Sequence, residues 1–300
     1  SLAISERVLR AETDFLREQG LLKIDPRGMV ITEAGRELLQ AMEPLVSIWF
    51  GLSEMEDELR RRFNLKAVTV VPGDSDVSPA AKKELGRAGS AALIRFASPN
   101  NDIIAVTGGS TMAEIASWLN PAAPFKGVCF VPARGGLGES VEFQANTIAS
   151  TMAKNTGAAY RLLHVPDHLG EEAYQSLMQE PNIREVVSVV RKARIVVHGI
   201  GDAVRMARRR NMDERSIEAL VKDGALAEAF GYYFNRDGQV VHKMPTVGLR
   251  LEDIQHTETV IAVAGGTSKG KAIAAVLRFG HEDVLITDEA AAKEILADSL

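Results

Sequence analysis

Unbroken apolar runs closed by glycine recur from residue 103 onward. Ile103-Ile104-Ala105-Val106 leads into Thr107-Gly108-Gly109-Ser110-Thr111, and Val128-Cys129-Phe130-Val131 leads into Pro132-Ala133-Arg134-Gly135-Gly136. Ile195-Val196-Val197 precedes His198-Gly199-Ile200-Gly201-Asp202, and Val260-Ile261-Ala262-Val263 precedes Ala264-Gly265-Gly266-Thr267-Ser268-Lys269. Each run is short and does not alternate, which predicts strands buried on both faces. The stretches between them predict helices, so the pattern specifies βα units around a parallel sheet. Ala67–Val71 with a helix from about Pro79 opens this region, residues 160–165 add a strand, and residues 284–287 close the sheet near the terminus. One segment departs from the alternation. Residues 228–250 carry Ala229-Phe230-Gly231-Tyr232-Tyr233-Phe234, the turn Asn235-Arg236-Asp237-Gly238 and Gln239-Val240-Val241-His242, a hairpin insertion placed to border a ligand site or an interface.

The first 64 residues are patterned differently. Ser5 is placed to cap a helix running through Arg7, Val8, Leu9, Arg10, Phe15 and Leu16 and ended by Gly20. Leu21-Leu22-Lys23-Ile24 and Met29-Val30-Ile31 flank the turn Asp25-Pro26-Arg27-Gly28, a short hairpin, and Thr32 caps a second helix. Helix, wing and helix form the back half of a winged helix-turn-helix, whose first helix would present Ser5, Arg7 and Arg10 to DNA. A small helical cap with a solvated charged face has the same pattern, and six Lys or Arg against eight Asp or Glu in residues 1–48 leave the two evenly placed. Pro44 is expected to break the second helix. Beyond it Leu45, Ile48, Leu52, Met55 and Leu59 keep a heptad seam, suited to a partner chain or to docking on the larger domain, and Arg60-Arg61-Arg62 complements the helix dipole. The division is therefore a partial winged helix-turn-helix (1–43), a linker helix (44–64) and a large α/β domain (65–300). The chain opens at Ser1 inside a helical motif, as a fragment of a longer protein would.

Composition narrows the function classes. With 46% hydrophobic and 25% charged residues this is an ordinary globular chain, and its net charge of −5 excludes a globally basic nucleic-acid binder while leaving a local basic surface open. No apolar run reaches membrane-spanning length and no signal peptide is visible, which places the protein in the cytoplasm. The single cysteine, Cys129, lies in an apolar strand and reads as a core residue.

The glycine turns carry the candidate chemistry. Glycine lets a backbone approach a ligand closely, and the first amides of the following helix suit an anion. Gly108, Gly109, Ser110 and Thr111 open one helix, Gly266, Thr267, Ser268 and Lys269 open another, and Arg134 with Gly135 and Gly136 comes from a third strand end. Two separate turns predict two phosphates. Gly265-x-x-x-x-Gly270-Lys271 nearly completes a phosphate-binding P-loop, but Ala272 stands where a hydroxyl should hold Mg²⁺, which argues against a nucleotide hydrolase. Gly199-Ile200-Gly201 lacks the third glycine of a dinucleotide fingerprint, since Val204 stands there. One arginine of Arg208-Arg209-Arg210 lies within reach of the crevice. Asp167, His168, His198, Asp202 and Glu228 are the candidate bases, none in a diagnostic pair, and the scattered histidines show no metal-ligand spacing.

Taken together, Val106-Thr107-Gly108-Gly109-Ser110-Thr111, Phe130-Val131-Pro132-Ala133-Arg134-Gly135-Gly136-Leu137-Gly138-Glu139, Gln144-Ala145-Asn146-Thr147, Val197-His198-Gly199-Ile200-Gly201-Asp202-Ala203, Glu228-Ala229-Phe230-Gly231-Tyr232-Tyr233-Phe234-Asn235 and Ala264-Gly265-Gly266 resemble the SorC family of bacterial transcription regulators. The likeness extends to Ile4-Ser5-Glu6-Arg7-Val8-Leu9-Arg10 in the first helix and covers essentially the whole chain. It implies a winged helix-turn-helix, with further helices preceding residue 1, followed by a Rossmann-like effector domain similar to sugar-phosphate isomerases and deaminases. It also implies a non-enzymatic repressor without a cofactor or metal, which holds operator DNA as a homo-oligomer, a tetramer, and responds to fructose 1,6-bisphosphate. Carried over by resemblance, the effector contacts fall on Gly109, Ser110, Thr111, Arg134, Gln144, Arg209, Glu228 and Lys269. The rival reading is an isomerase or deaminase on the same fold, and the winged-helix half with the missing acid/base pair counts against it.

Overall fold

The computed structural model describes residues 5–25, 28–49, 51–98, 102–122, 125–136, 140–166 and 169–298, apart from the side chains of residues 40, 43–49 and 171. Two compact units emerge, Ser1–Ser53 and Glu54–Leu300.

In the smaller unit, Ser5 accepts the Val8 N–H at 3.4 Å at the start of the helix Glu6–Glu18. The strands β1 (Leu22–Asp25) and β2 (Gly28–Ile31) form the expected antiparallel wing. Thr32 accepts the Gly35 N–H at 3.1 Å and starts the helix Glu33–Trp49. That helix runs through Pro44, contrary to the sequence expectation. A proline costs a helix one hydrogen bond and about 3 kcal/mol without obliging it to end. The break falls instead at Gly51, whose φ of 66° leaves the helical region, before the helix Leu52–Arg62. Leu52 and Leu59 of the heptad seam are buried within a single chain. Leu45 and Ile48 lie among the side chains outside the description.

The larger unit is built on parallel strands. In chain order its strands are β3 (Ala67–Val71), β4 (Ile103–Val106), β5 (Cys129–Pro132), β6 (Ala159–Tyr160), β7 (Ile195–His198), β8 (Gly201–Asp202), β9 (Ala227–Ala229), β10 (Tyr232–Phe234), β11 (Val240–Lys243), β12 (Thr259–Val263) and β13 (Val284–Asp288). Seven of them form one sheet in the order β3-β13-β12-β7-β4-β5-β6, parallel throughout. Strands β7, β12 and β13 are buried along their full length, as their unbroken apolar runs require. The chain winds outward through β4, β5 and β6, returns at β7 beside β4, and winds the other way through β12 and β13. The crevice between β4 and β7 is thus the topological switch point, where open α/β sheets bind ligands. The core packs Leu93, Ile104, Ile115, Phe125, Phe130, Ile148 and Ile261 with the flanking helices.

Two expectations change here. The strand at 160–165 is only Ala159–Tyr160, because Asn146 on the neighbouring helix takes over the backbone of Leu163 through both its amide oxygen and nitrogen. The last strand does not close an edge; β13 inserts between β12 and β3. The hairpin insertion belongs to a second, antiparallel sheet in the order β11-β10-β9-β8.

Candidate functional site

A cavity of about 250 Å³ opens at the switch point. Its rim comes from the carboxyl ends of β4, β5, β7 and β12 and from the second sheet. Of the predicted residues, Gly108, Gly109, Ser110, Thr111, Arg134, Gly135, Gln144, Arg209, Glu228 and Lys269 line it. Four do not: Gly136, Gly266, Thr267 and Ser268.

The turn after β4 is open toward the cavity. Gly109 sits at φ 119°, a conformation other residues adopt only with strain, and delivers the chain into the helix Ser110–Trp118 without a side-chain cap. The first amides of such a helix have no intrahelical acceptor, so this end is electropositive and able to donate. Lys82, from the first turn of the helix Pro79–Phe96, donates to the Ser110 hydroxyl at 2.8 Å.

The corresponding turn after β12 is closed by the protein itself. Gly266 donates its N–H to Asp288 at 2.7 Å, Thr267 donates its N–H and hydroxyl to Asp74 at 3.3 and 2.7 Å, and Ser268 donates its N–H to Asp76 at 2.8 Å. Three consecutive amides each meet a carboxylate. This corrects the expectation of a second phosphate-binding turn, because the donors that would hold a phosphate already hold aspartates. Gly136 is corrected too: its N–H donates to the Val165 carbonyl at 2.9 Å and fastens the loop after β5. Lys269 alone from this segment reaches the cavity. Burial pushes its ammonium below the usual lysine value, Asp76 works against that, and the nearby Arg205 and Lys82 add to it.

Across the cavity Glu228 on β9 is enclosed by cations. Its carboxylate accepts from Arg134 at 3.1 Å, from Arg210 at 2.9 Å and from the Gly231 N–H at 2.7 Å. Burial would raise this carboxyl, but Arg210, Arg134 and the Gly231 amide hold it below the usual glutamate range. Arg209 lines the rim and is exposed, whereas Arg208 does not line the cavity. Sequence reasoning missed Lys82, Arg205, Phe143 and Phe230, and of the arginine run it named Arg209 but not Arg210. The only available signal for Lys82 was its position in the first turn of a helix that follows a β-strand.

The described candidate bases are engaged within the protein or line the cavity. His198 is fully buried, 2.8 Å from Glu282 through Nε2, and its ring packs on Phe230 at 4.3 Å between centroids. Asp202 caps the helix Ala203–Arg209 by accepting the Arg205 N–H at 2.9 Å. Asp167 and His168 lie outside the described residues. In the smaller unit Arg10 pairs with Glu6 at 2.6 Å on an exposed helix face, where Arg7 is exposed too. Among the described residues no helix is long and apolar enough to cross a membrane.

Known proteins match this architecture over its whole length. The Sugar-bind family, a sugar-binding domain, matches residues 48–297, and the CggR N-terminal DNA binding domain matches residues 1–46. The chain is 48% identical over 298 residues to the central glycolytic genes regulators of Priestia megaterium and Bacillus subtilis, covering 99% of this chain and 87% of each relative. A SorC family transcriptional regulator from Enterococcus faecalis superposes with a TM-score of 0.75 at 43% identity, over 81% of this chain and 99% of that one. The full-length sorbitol operon regulator SorC from Klebsiella pneumoniae shares the fold, with a TM-score of 0.78 over 98% of this chain and 91% of that one at 20% identity. These relatives are transcriptional regulators.

Proposed function

This chain belongs to the SorC family of transcriptional regulators, and from that premise we propose that it is a repressor of glycolytic genes whose cavity binds fructose 1,6-bisphosphate. The DNA-reading part is residues 1–43, with Ser5, Arg7 and Arg10 on the reading helix, residues 44–64 link, and residues 65–300 take the effector. The cavity contacts are Gly108, Gly109, Ser110, Thr111, Arg134, Gly135, Gln144, Arg209, Glu228 and Lys269.

Charge is the observation that carries the reading. Among the described residues five cationic side chains line the cavity, Arg134, Arg205, Arg209, Arg210 and Lys269, against two carboxylates, Asp202 and Glu228. That excess, with a helix N-terminus beside it, suits a ligand bearing several negative charges. A sugar with two phosphates carries about −3 to −4 at neutral pH. One phosphate fits the Ser110 helix with Lys82 and Lys269; the other fits the arginines around Glu228 and Gln144. The two-phosphate reading therefore survives the loss of the second turn, because its second pole is a cluster of guanidinium groups. The ligand alters self-association and so releases the operator.

The test is fluorescence anisotropy of labelled operator DNA with the full-length protein, titrated with fructose 1,6-bisphosphate, fructose 6-phosphate and fructose, with sedimentation run on the same samples. The bisphosphate should release the operator and change the oligomer at a concentration at least tenfold below the monophosphate, and fructose should do neither. Equal potency of all three sugars would contradict the reading.

A further inference from the structure

The loop between β3 and the helix Pro79–Phe96 lies outside the cavity lining, yet it governs the segment that supplies Lys269. Asp76 in this loop accepts the Ser268 N–H at 2.8 Å, one residue before Lys269, while its own N–H donates to Asp74 at 2.9 Å. Asp76 is exposed and Lys269 is half-buried. On the cavity side, Lys269 and Arg205 line the same cavity as Ser110, whose hydroxyl takes a hydrogen bond from Lys82 at 2.8 Å. Asp76 and Asp288 both favour the charged form of the Lys269 ammonium, and Asp288 is already committed to the N–H groups of Gly266, Ser75 and Ala291. Asp76 accepts from Ser268, its carboxylate lies against Gly266, and the residue is exposed.

We propose that Asp76 is an affinity- and specificity-setting residue: a counter-ion, built into the chain and held at Ser268, that opposes an incoming phosphate at the Lys82–Arg205–Lys269 cluster. The inference rests on the phosphate reading of the cavity given above. A carboxylate beside a cation cluster lowers the potential that attracts an anion, and the penalty grows with ligand charge. Asp76 therefore costs a bisphosphate more than a monophosphate and costs an uncharged sugar nothing. It trims the affinity of the very ligands that the cavity's charge excess favours, which keeps the site responsive rather than saturated.

Asp76→Asn removes the charge and keeps an oxygen able to accept the Ser268 N–H, so the loop retains its anchor. Calorimetry on the full chain at two salt concentrations, with fructose 1,6-bisphosphate and fructose 6-phosphate as probes, reads the effect. The variant should bind the bisphosphate about three- to tenfold more tightly at low salt and gain less with the monophosphate. Both gains should shrink at high salt, as an exposed charge requires. Asp74→Asn serves as the comparison, because Asp74 holds Thr267, one residue farther from Lys269 than the Ser268 held by Asp76; it should change the affinity less than twofold. Unchanged or weaker binding in Asp76→Asn, with the wild type still binding, overturns the role of Asp76 and leaves the phosphate reading intact. A gain equal for both sugars and insensitive to salt also overturns it, since that is a structural effect. Failure of every protein to bind either sugar overturns both.

Discussion

Two turns of nearly the same sequence do opposite things in this molecule. Gly108-Gly109-Ser110-Thr111 and Gly265-Gly266-Thr267-Ser268 both follow a buried parallel strand, and their second glycines share an unusual backbone, φ 119° and ψ 157° in one, φ 101° and ψ 137° in the other. The first opens on the cavity with no side-chain cap. The second gives its amides to Asp74, Asp76 and Asp288. A glycine turn at a helix start is thus an anion cradle by geometry, and the rest of the chain decides whether the anion is a ligand or an aspartate.

The largest expected effect comes from emptying the filled turn. Asp288 is fully buried and accepts N–H groups from Gly266, Ser75 and Ala291. Asp288→Ala leaves all three without that acceptor, at about 1–3 kcal/mol for each one that stays unsatisfied. Thermal unfolding should show a loss of several kcal/mol, whereas Ser110→Ala in the open turn should stay within about 1 kcal/mol. Similar losses in the two variants would mean that the turns are equally filled.

A smaller effect separates the two glycines. Gly109→Ala meets nothing within 4 Å, so only the positive φ is felt, about 1–3 kcal/mol. Gly266→Ala carries the same strain and also drives its Cβ into an Asp76 oxygen. It should push Asp76 off Ser268 and cost about 1 kcal/mol more, with faster amide exchange at Ser268. Equal unfolding energies would contradict the idea that this loop is seated on the turn.

The smallest effect is a titration. The Thr267 hydroxyl, opposed by burial and supported by the Asp76 and Thr267 amides, holds the Asp74 carboxyl below its usual value of 3.8. Because the folded value is depressed, the contribution of Asp74 is present above the unfolded value and is lost as pH falls through the lower, folded one. The Thr267 amide resonance should therefore shift with a midpoint below 3.8, and the Ser110 amide should not follow it. A midpoint at or above the usual aspartate value would contradict the hydrogen-bonded geometry.

Much of this architecture is legible along the chain, and the reason is physical. Strands β4, β5, β7 and β12 are buried on both faces, so their apolar runs leave no alternative, and the helix caps at Ser5 and Thr32 are local chemistry. The cavity's position follows from glycine turns gathering at strand ends. The occupancy of the second turn was not legible, because Asp74 and Asp76 lie more than 190 positions before the amides they accept. Lys82 reaches Ser110 from a different helix for the same reason. The strands β8 and β9 are two and three residues long, too short for a periodic signal. Pro44 misled in the other direction, since the cost of a proline is finite and the helix there absorbs it.

The central claim is that the open turn binds the ligand and the filled turn does not. Calorimetric titration of fructose 1,6-bisphosphate into wild type, Thr111→Val and Thr267→Val tests it with one hydroxyl removed from each turn. Thr111→Val should lose a charge-assisted hydrogen bond, about 1.5–3 kcal/mol, or roughly tenfold and more in affinity. Thr267→Val gives up only its bond to Asp74 and should bind within about twofold of wild type. Equal losses in both variants, or the larger loss in Thr267→Val, would contradict the account.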